Sequence, residues 1–186
     1  MLKFKSPFTL LLVVAVVALA VGPVQAAVKA MNLEETMRIT HGVVHGTIVK
    51  KDVFRFDVGD VQNELYTRLT VEGEELRTGE KSTFELYYLG GVDQGVLEAP
   101  NTAPKENQTR VGANVVAFFW FDPNLSPNGA NKVFHFGNVF QVLQGAGDPT
   151  VISMGAGSPV PQNIKLTVLK NEVGRLHQML LAEKRK

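Results

Sequence analysis

Histidine is the residue type in this chain with the clearest capacity for chemistry. His41 and His45 lie four residues apart, so a strand or a helical turn would place both rings on one face. Imidazole is the commonest metal ligand, and a metal held there could activate water for hydrolysis. Two ligands do not make a site, however, and no acidic third ligand lies nearby. We expect exposed strand histidines and no metal; a metal-dependent hydrolase using His41 and His45 is the alternative.

Other catalytic patterns are missing from the sequence. There is no Gly-x-Ser-x-Gly motif, and the glycines at 145–147 precede neither a lysine nor a helix that could hold phosphate. The chain has no cysteine, which excludes thiol catalysis and thiolate zinc sites. We therefore expect a protein that is not an enzyme, with no catalytic residues and no cofactor.

A binding surface is the remaining functional candidate. Tyr66 and Tyr87 are expected on the outer face of neighbouring strands, beside Arg68, and such residues are enriched in interfaces. The residues between 90 and 110, which include Asp93 and Gln94, show no sustained period and are expected to form a long loop that is either functional or mobile. The alternative is that the two tyrosines pack under the terminal helices.

The first residues have the pattern of a secretory signal. Lys3 and Lys5 precede an apolar run at 8–21, and small residues before Ala27 fit a cleavage site. We expect export to the periplasm or the medium, with no membrane span after cleavage. The near-neutral formal charge of +1 argues against nucleic acid as a partner. An unknown protein or oligosaccharide of the cell envelope is the expected partner.

The chain after residue 31 alternates short β patterns with turn residues. Asn32 and Glu35 fit a capping box that starts a short helix, and Gly46 inside the strand at 43–49 suggests a bulge or a close backbone approach. Lys50-Lys51-Asp52 follows that strand, and the next stretch is ambiguous: residues 53–56 could extend a strand, whereas Asp57, Gly59 and Asp60 indicate a turn. Regular alternation predicts strands near 64–72 and 83–88.

Residues 112–121 form the most apolar stretch outside the expected signal and predict a strand that is buried on both faces. Near the end of the chain, apolar residues at 169, 173, 176 and 180 predict an amphipathic helix with Thr167 as its N-cap. We expect this helix to cover the face that carries Val116, Phe118 and Trp120.

The order of these features resembles a family of exported bacterial domains. It is carried by Val44-His45-Gly46-Thr47-Ile48, by the Tyr66–Val71 strand, by Thr78-Gly79 before a strand that ends in Gly90-Gly91, and by Val111-Gly112 before the apolar strand. This family carries a small OB-like β-barrel, and the arrangement is also loosely similar to netrin-type modules. The resemblance implies a fold and an exported address, and it supplies no catalytic residues.

These observations lead to one interpretation. We expect a mainly β protein: an antiparallel OB-like barrel or sandwich of about six to seven strands, with a short N-terminal helix and a C-terminal amphipathic helix. Residues 1–26 are the signal, 27–160 the barrel domain, and 161–186 the helix on or beside the barrel. The function predicted is that of an exported non-enzymatic binding module, acting through the 90–110 loop and the adjacent barrel face.

Overall fold

A computed structural model describes residues 31–58, 60–100, 103–125, 129–133, 138–155 and 157–185. The signal expected at 1–26 lies outside these residues. The elements in chain order are α1 (Leu33–Ile39), β1 (Gly42–Val58), β2 (Val61–Glu75), β3 (Lys81–Leu89), β4 (Gly91–Asp93), β5 (Val96–Glu98), α2 (Glu106–Thr109), β6 (Asn114–Asp122), β7 (Ala130–Lys132), β8 (Val139–Gly145), β9 (Gly147–Val151), β10 (Ile164–Lys165) and α3 (Leu166–Glu183).

Five strands close a barrel in the order β1-β2-β3-β7-β6, with β6 pairing back to β1. Four of the five pairings are antiparallel, and β3 with β7 is parallel. The barrel is filled by aliphatic side chains and a few aromatic rings, among them Ile48, Leu69, Val115 and Phe119. Strands β8, β9 and β10 extend the sheet from β6. The expectation of a mainly β protein with a barrel is confirmed.

Strand β1 continues through Lys50-Lys51-Asp52. It runs on to Val58, so residues 53–56 extend the strand, which is one of the two alternatives that the sequence left open, and the register shifts between Ile48 and Lys50. Val49 is the extra residue of this β-bulge, which exchanges the faces of the strand. Even-numbered residues point inward before it, and odd-numbered residues do so after it. The polar triplet therefore marks a change of face within one strand.

Strand β6 lies at the centre of the sheet and is buried on both faces from Val115 to Phe119, as predicted, whereas Phe121 is 47% exposed. Val115, Ala117 and Phe119 line the barrel. Val116 and Phe118 face outward and are covered by apolar residues of α3, which include Leu169 and Val173. Trp120, further along the same face, is half-buried and pairs across to Lys132 of β7. The expected cover by α3 is thus found over Val116 and Phe118, whereas Trp120 is not among the residues of that cluster.

The two terminal helices pack on the outer face of the barrel and against each other. The capping box of α1 is present, because Asn32 and Glu35 exchange hydrogen bonds of 2.9 and 3.0 Å. Helix α3 buries its residues at 166, 169, 173 and 176, which confirms most of the predicted stripe. Thr167 is not its N-cap: that position is Lys165, and the Thr167 hydroxyl instead donates to Asp148. Among the described residues no helix is long and apolar enough to cross a membrane.

The 90–110 segment, expected as an irregular loop, contains regular structure. It forms the β4–β5 hairpin and the single-turn helix α2. Gln108 and Thr109 of that helix are buried, and the Gln108 side-chain amide donates to the Val139 carbonyl. Short elements of three or four residues give too few repeats for a periodic signal, which is why the sequence pattern missed them.

Gly46 makes the close backbone approach that its position suggested. It pairs with Gly73 of β2, and a Cβ at residue 46 would lie 2.3 Å from the Glu72 carbonyl oxygen. Backbone atoms cannot move aside as the end of a side chain can. Gly174 of α3 is the opposite case, since a Cβ there would meet nothing within 4 Å.

The same substitution to alanine should therefore change the free energy of unfolding in opposite directions at the two glycines. We expect Gly46→Ala to lower the free energy of unfolding by about 1–3 kcal/mol or to prevent folding, because β1 and β2 must separate. Gly174→Ala, the matched control, should raise it by about 0.5–1 kcal/mol through helix propensity. Urea denaturation of both variants measures the two changes. An unchanged free energy of unfolding in Gly46→Ala would show that the two strands can separate at no cost.

Candidate functional site

The β4–β5 hairpin turns at Gln94-Gly95, and both residues have positive φ, 48° and 83°. Left-handed values at both central residues match the twist of the two strands, and glycine at the second adopts one without strain. Cross-strand pairing places Val92 opposite Leu97, and Asp93 opposite Val96. Because side chains alternate along a strand, Val92 and Leu97 share one face of the hairpin, and Asp93 and Glu98 share the other.

Arg55 of β1 fixes the second of these faces. Its guanidinium donates to Asp93 at 2.9 Å and to Glu98 at 2.6 Å, one partner from each strand of the hairpin. It also donates to the Asn63 carbonyl of β2 at 3.1 Å. The two carboxylates raise the pKa of Arg55 above its usual value, Glu98 more than Asp93. One arginine therefore ties the hairpin to the barrel wall.

Two further anchors hold the same segment. The Thr67 hydroxyl donates to the Gly90 carbonyl at 2.6 Å, where the chain leaves β3. Lys51, which precedes Arg55 on the inward face of β1, forms a 2.7 Å ion pair with Glu106 of α2. The segment is thus fastened at its start, middle and end, and the free face of the hairpin has a defined orientation.

That free face is apolar and open to solvent. Val92 is 55% exposed and Leu97 is 71% exposed. Single exposed aliphatic residues are ordinary on a protein surface. Val92 and Leu97 differ from that background because they are cross-strand neighbours on a hairpin whose other face is fixed by ion pairs. An apolar pair displayed in this way is suited to contact another molecule.

The residues proposed from the sequence as an interaction surface fall in two places. Tyr66, Arg68 and Tyr87 come together on the outer face of β2 and β3, as the alternation predicted. Asp93 and Gln94 belong to the hairpin instead, with Asp93 bound to Arg55 on the inward side of β1. The two tyrosines are buried, at 1% and 8% exposure, and cannot offer much contact area.

Phenylalanines cover the tyrosines in place of the terminal helices. Phe56 stacks on Tyr66 with ring centroids 4.8 Å apart, and Phe54 meets Tyr87 edge-on at 5.9 Å. Leu125 and Ala130 complete this cluster. Burial raises the pKa of both tyrosines, and each phenol donates to a neighbouring carboxylate, Tyr66 to Glu64 and Tyr87 to Glu85.

Arg68 is held within a balanced network. It pairs with Asp52 at 2.9 Å and with Glu85 at 3.3 Å, and its guanidinium lies 5.6 Å from the centre of the Phe54 ring. Arg68, followed by Lys50, holds the pKa of Asp52 below its usual range. A partner that bound Arg68 would have to displace both carboxylates, so this face is better suited to fixing the β1–β2 ribbon than to ionic recognition.

The two histidines considered for metal binding have other partners. The His41 Nδ1 accepts a hydrogen bond from the Phe121 amide at 3.0 Å, and the His45 Nε2 lies 2.9 Å from the Asn114 side-chain oxygen. Burial lowers the pKa of His45, although the bond to Asn114 opposes the change. Within the described ranges no three His, Asp or Glu side chains are grouped closely enough to hold a metal ion.

Sequence reasoning missed Val92 and Leu97, the residues that define the open face. Alternation over three residues is too short to recognise, but Asp93-Gln94-Gly95 between Val92 and Val96 contains turn residues that could have indicated the hairpin. Arg55 carried no local signal, because its role depends on a bulge six residues earlier. Its partners lie 38 and 43 residues away in the chain.

If Arg55 fixes the hairpin, Arg55→Met should loosen it locally. We expect amide hydrogen exchange at residues 91–98 to become roughly tenfold faster, with little change in the barrel strands. Lys50→Met removes a cation from the same strand without touching the hairpin and serves as control. Hydrogen exchange is measured for each amide in both variants. Equal protection of residues 91–98 in the two would show that the hairpin keeps its structure without Arg55.

Comparison with known proteins finds no family model, no characterised relative and no solved structure that matches this chain.

Proposed function

We propose that the chain is an exported, non-enzymatic binding module that captures a partner protein through the open face of the β4–β5 hairpin. The observation that carries this proposal is the exposure of Val92 and Leu97, 55% and 71%, as cross-strand neighbours on an anchored hairpin. Burying two such side chains against a partner removes apolar area from water. The loss of conformational entropy is small, because the hairpin is already held in place.

The topology of the barrel supports the same function. The strand order β1-β2-β3-β7-β6 closes a five-stranded barrel, and a single-turn helix with two buried residues lies in the segment after β3. This arrangement is in keeping with an OB-like barrel, a fold that binds ligands with loops around a fixed frame. The inference from fold alone is an analogy, and the exposed apolar pair provides the specific reason.

Support for the exported address comes from the sequence. The basic start, the apolar run at 8–21 and the small residues before Ala27 fit a secretory signal, and the absence of cysteine excludes anchoring through a lipidated thiol at the cleavage site. We therefore place the partner among proteins of the periplasm or the medium.

A second candidate is an oligosaccharide that binds the face formed by β2, β3 and the end of β1. Phe54 and Phe56 are half-buried there, with ring centroids 5.2 Å apart and planes 20° from parallel. Open faces of OB-like barrels bind oligosaccharides in this region. The carboxylates around Arg68 already neutralise its charge, which is why we rank this candidate second. No comparable observation favours the hydrolase with His41 and His45.

The test is site-specific photo-crosslinking in cells that produce the protein naturally. A benzophenone side chain at residue 97 should form an adduct with a second protein, whereas the same group at Val168 of α3, which is 51% exposed, should not. Adding Val92→Asp should reduce the adduct at residue 97 by roughly tenfold, since interface anchors tolerate charge poorly.

Val168→Asp adds the same charge to a helix and is the matched control, with an unchanged adduct expected. Thermal unfolding of each variant must show an intact fold. An adduct that Val92→Asp leaves unchanged would contradict the proposal, as would one that contains only two copies of this chain. Adduct formation at residue 54 in place of residue 97, lost on adding an oligosaccharide extract, would favour the second candidate.

A further inference from the structure

A groove of about 330 Å³ lies between α1, the turn after β2 and the end of α3. Met37, Leu180 and Leu181 give it an apolar wall, and Thr40, Arg77 and His177 give it a polar end. Its size is at the lower end of the range for small-molecule sites. None of the hairpin residues contributes to it, so a ligand bound in the groove would be independent of the proposed binding partner.

Arg77 is the unusual residue of this groove. It is partly buried, and one nitrogen of its guanidinium donates to neutral acceptors only: the Thr40 hydroxyl at 2.8 Å, and the carbonyl and sulfur of Met37 at 3.2 and 3.7 Å. Its Nε, like that of Arg68, is buried and meets no acceptor. A buried polar atom without a partner costs stability, and such atoms are rare in folded proteins.

The charge of Arg77 is also uncompensated. In the part of the chain that the structure describes, no carboxylate forms a salt bridge with it. Glu75, the acidic residue that acts on it, has its oxygens occupied by the amides of Val43, Arg77 and Thr78 at 2.8–3.0 Å. Burial therefore lowers the pKa of Arg77, with Glu75 opposing the change.

The other charges that face the groove are of both signs. Arg38 pairs with Glu34 at 2.8 Å and with Glu183 at 2.7 Å, so these three groups together carry one net negative charge. Lys184 is a second cation that lines the groove. Together with Arg77, these groups leave a net positive charge of about one at the polar end of the groove.

We infer that this groove binds a small amphipathic carboxylate, with its carboxyl group on Arg77 and its apolar chain along Met37, Leu180 and Leu181. The planar guanidinium fork matches a carboxylate in geometry and charge. The bound anion supplies the counter-charge that Arg77 lacks within the described chain. A neutral molecule of the same shape gains only the apolar contacts.

The test titrates the full chain with octanoate and follows it by calorimetry and by nitrogen–proton correlation spectra, in which the Arg77 Nε–H signal reports directly. Octanoate should bind and shift that signal. Octanol, which keeps the chain and lacks the charge, should bind about tenfold more weakly or not at all. Phosphate, which lacks the chain, should also bind weakly. Equal binding of octanol or of phosphate would overturn the inference.

Two variants localise the site. Arg77→Gln should weaken octanoate binding by about tenfold or more, whereas Arg175→Gln, which removes one cation from the exposed side of α3, should not. Because Arg77 also tethers α1, its variant could fail to fold. Leu181→Glu leaves the bonds of Arg77 intact, places a negative charge on the apolar wall, and should weaken binding equally. Unchanged affinity in Leu181→Glu would overturn the inference.

Discussion

The bulge at Val49 is the constraint on which the rest of the molecule depends. Before it, Val44 and Ile48 point into the barrel, while β1 pairs with both β2 and β6. After it, Lys51 and Arg55 take over the inward side, beyond the edge of β6. One inserted residue therefore turns an apolar barrel wall into a ribbon whose inner side carries two cations. Those cations find their partners in the 90–110 segment.

The same change of face builds the aromatic cluster. After the bulge exchanges the inward and outward faces of β1, its even-numbered residues lie outward. They are Asp52, Phe54 and Phe56, and they pair with Arg68, Tyr66 and Glu64 of β2. Cross-strand neighbours on one face interact most strongly, and here they are an ion pair and stacked rings. The ribbon beyond the barrel is thus fixed on both sides, by carboxylates inside and by aromatic rings outside. This explains how a hairpin far along the chain can be held in a defined orientation.

The sequence predicted the parts of the fold that rest on sustained patterns. The burial of β6 on both faces, the stripe of α3 and the capping box at Asn32 all follow from residue types within one element. The course of β1 after Val49 stayed open, because a bulge changes the face of every later residue and the sequence at 53–62 fits either a strand or a turn. For the candidate surface, alternation correctly joined Tyr66, Arg68 and Tyr87. Their burial under Phe54 and Phe56 depended on the part of β1 that the sequence left ambiguous.

Two arginines show why a residue's partners decide its role. Arg55 and Arg77 are both partly buried, and nothing in their neighbouring sequence separates them. Arg55 binds two carboxylates that lie 38 and 43 residues away in the chain, so its charge is compensated within the fold. Arg77 meets a hydroxyl and a carbonyl, because the acid beside it is occupied by backbone amides. A satisfied arginine stabilises an element, whereas an unsatisfied one at the end of an apolar groove leaves a place for an anion from outside the chain.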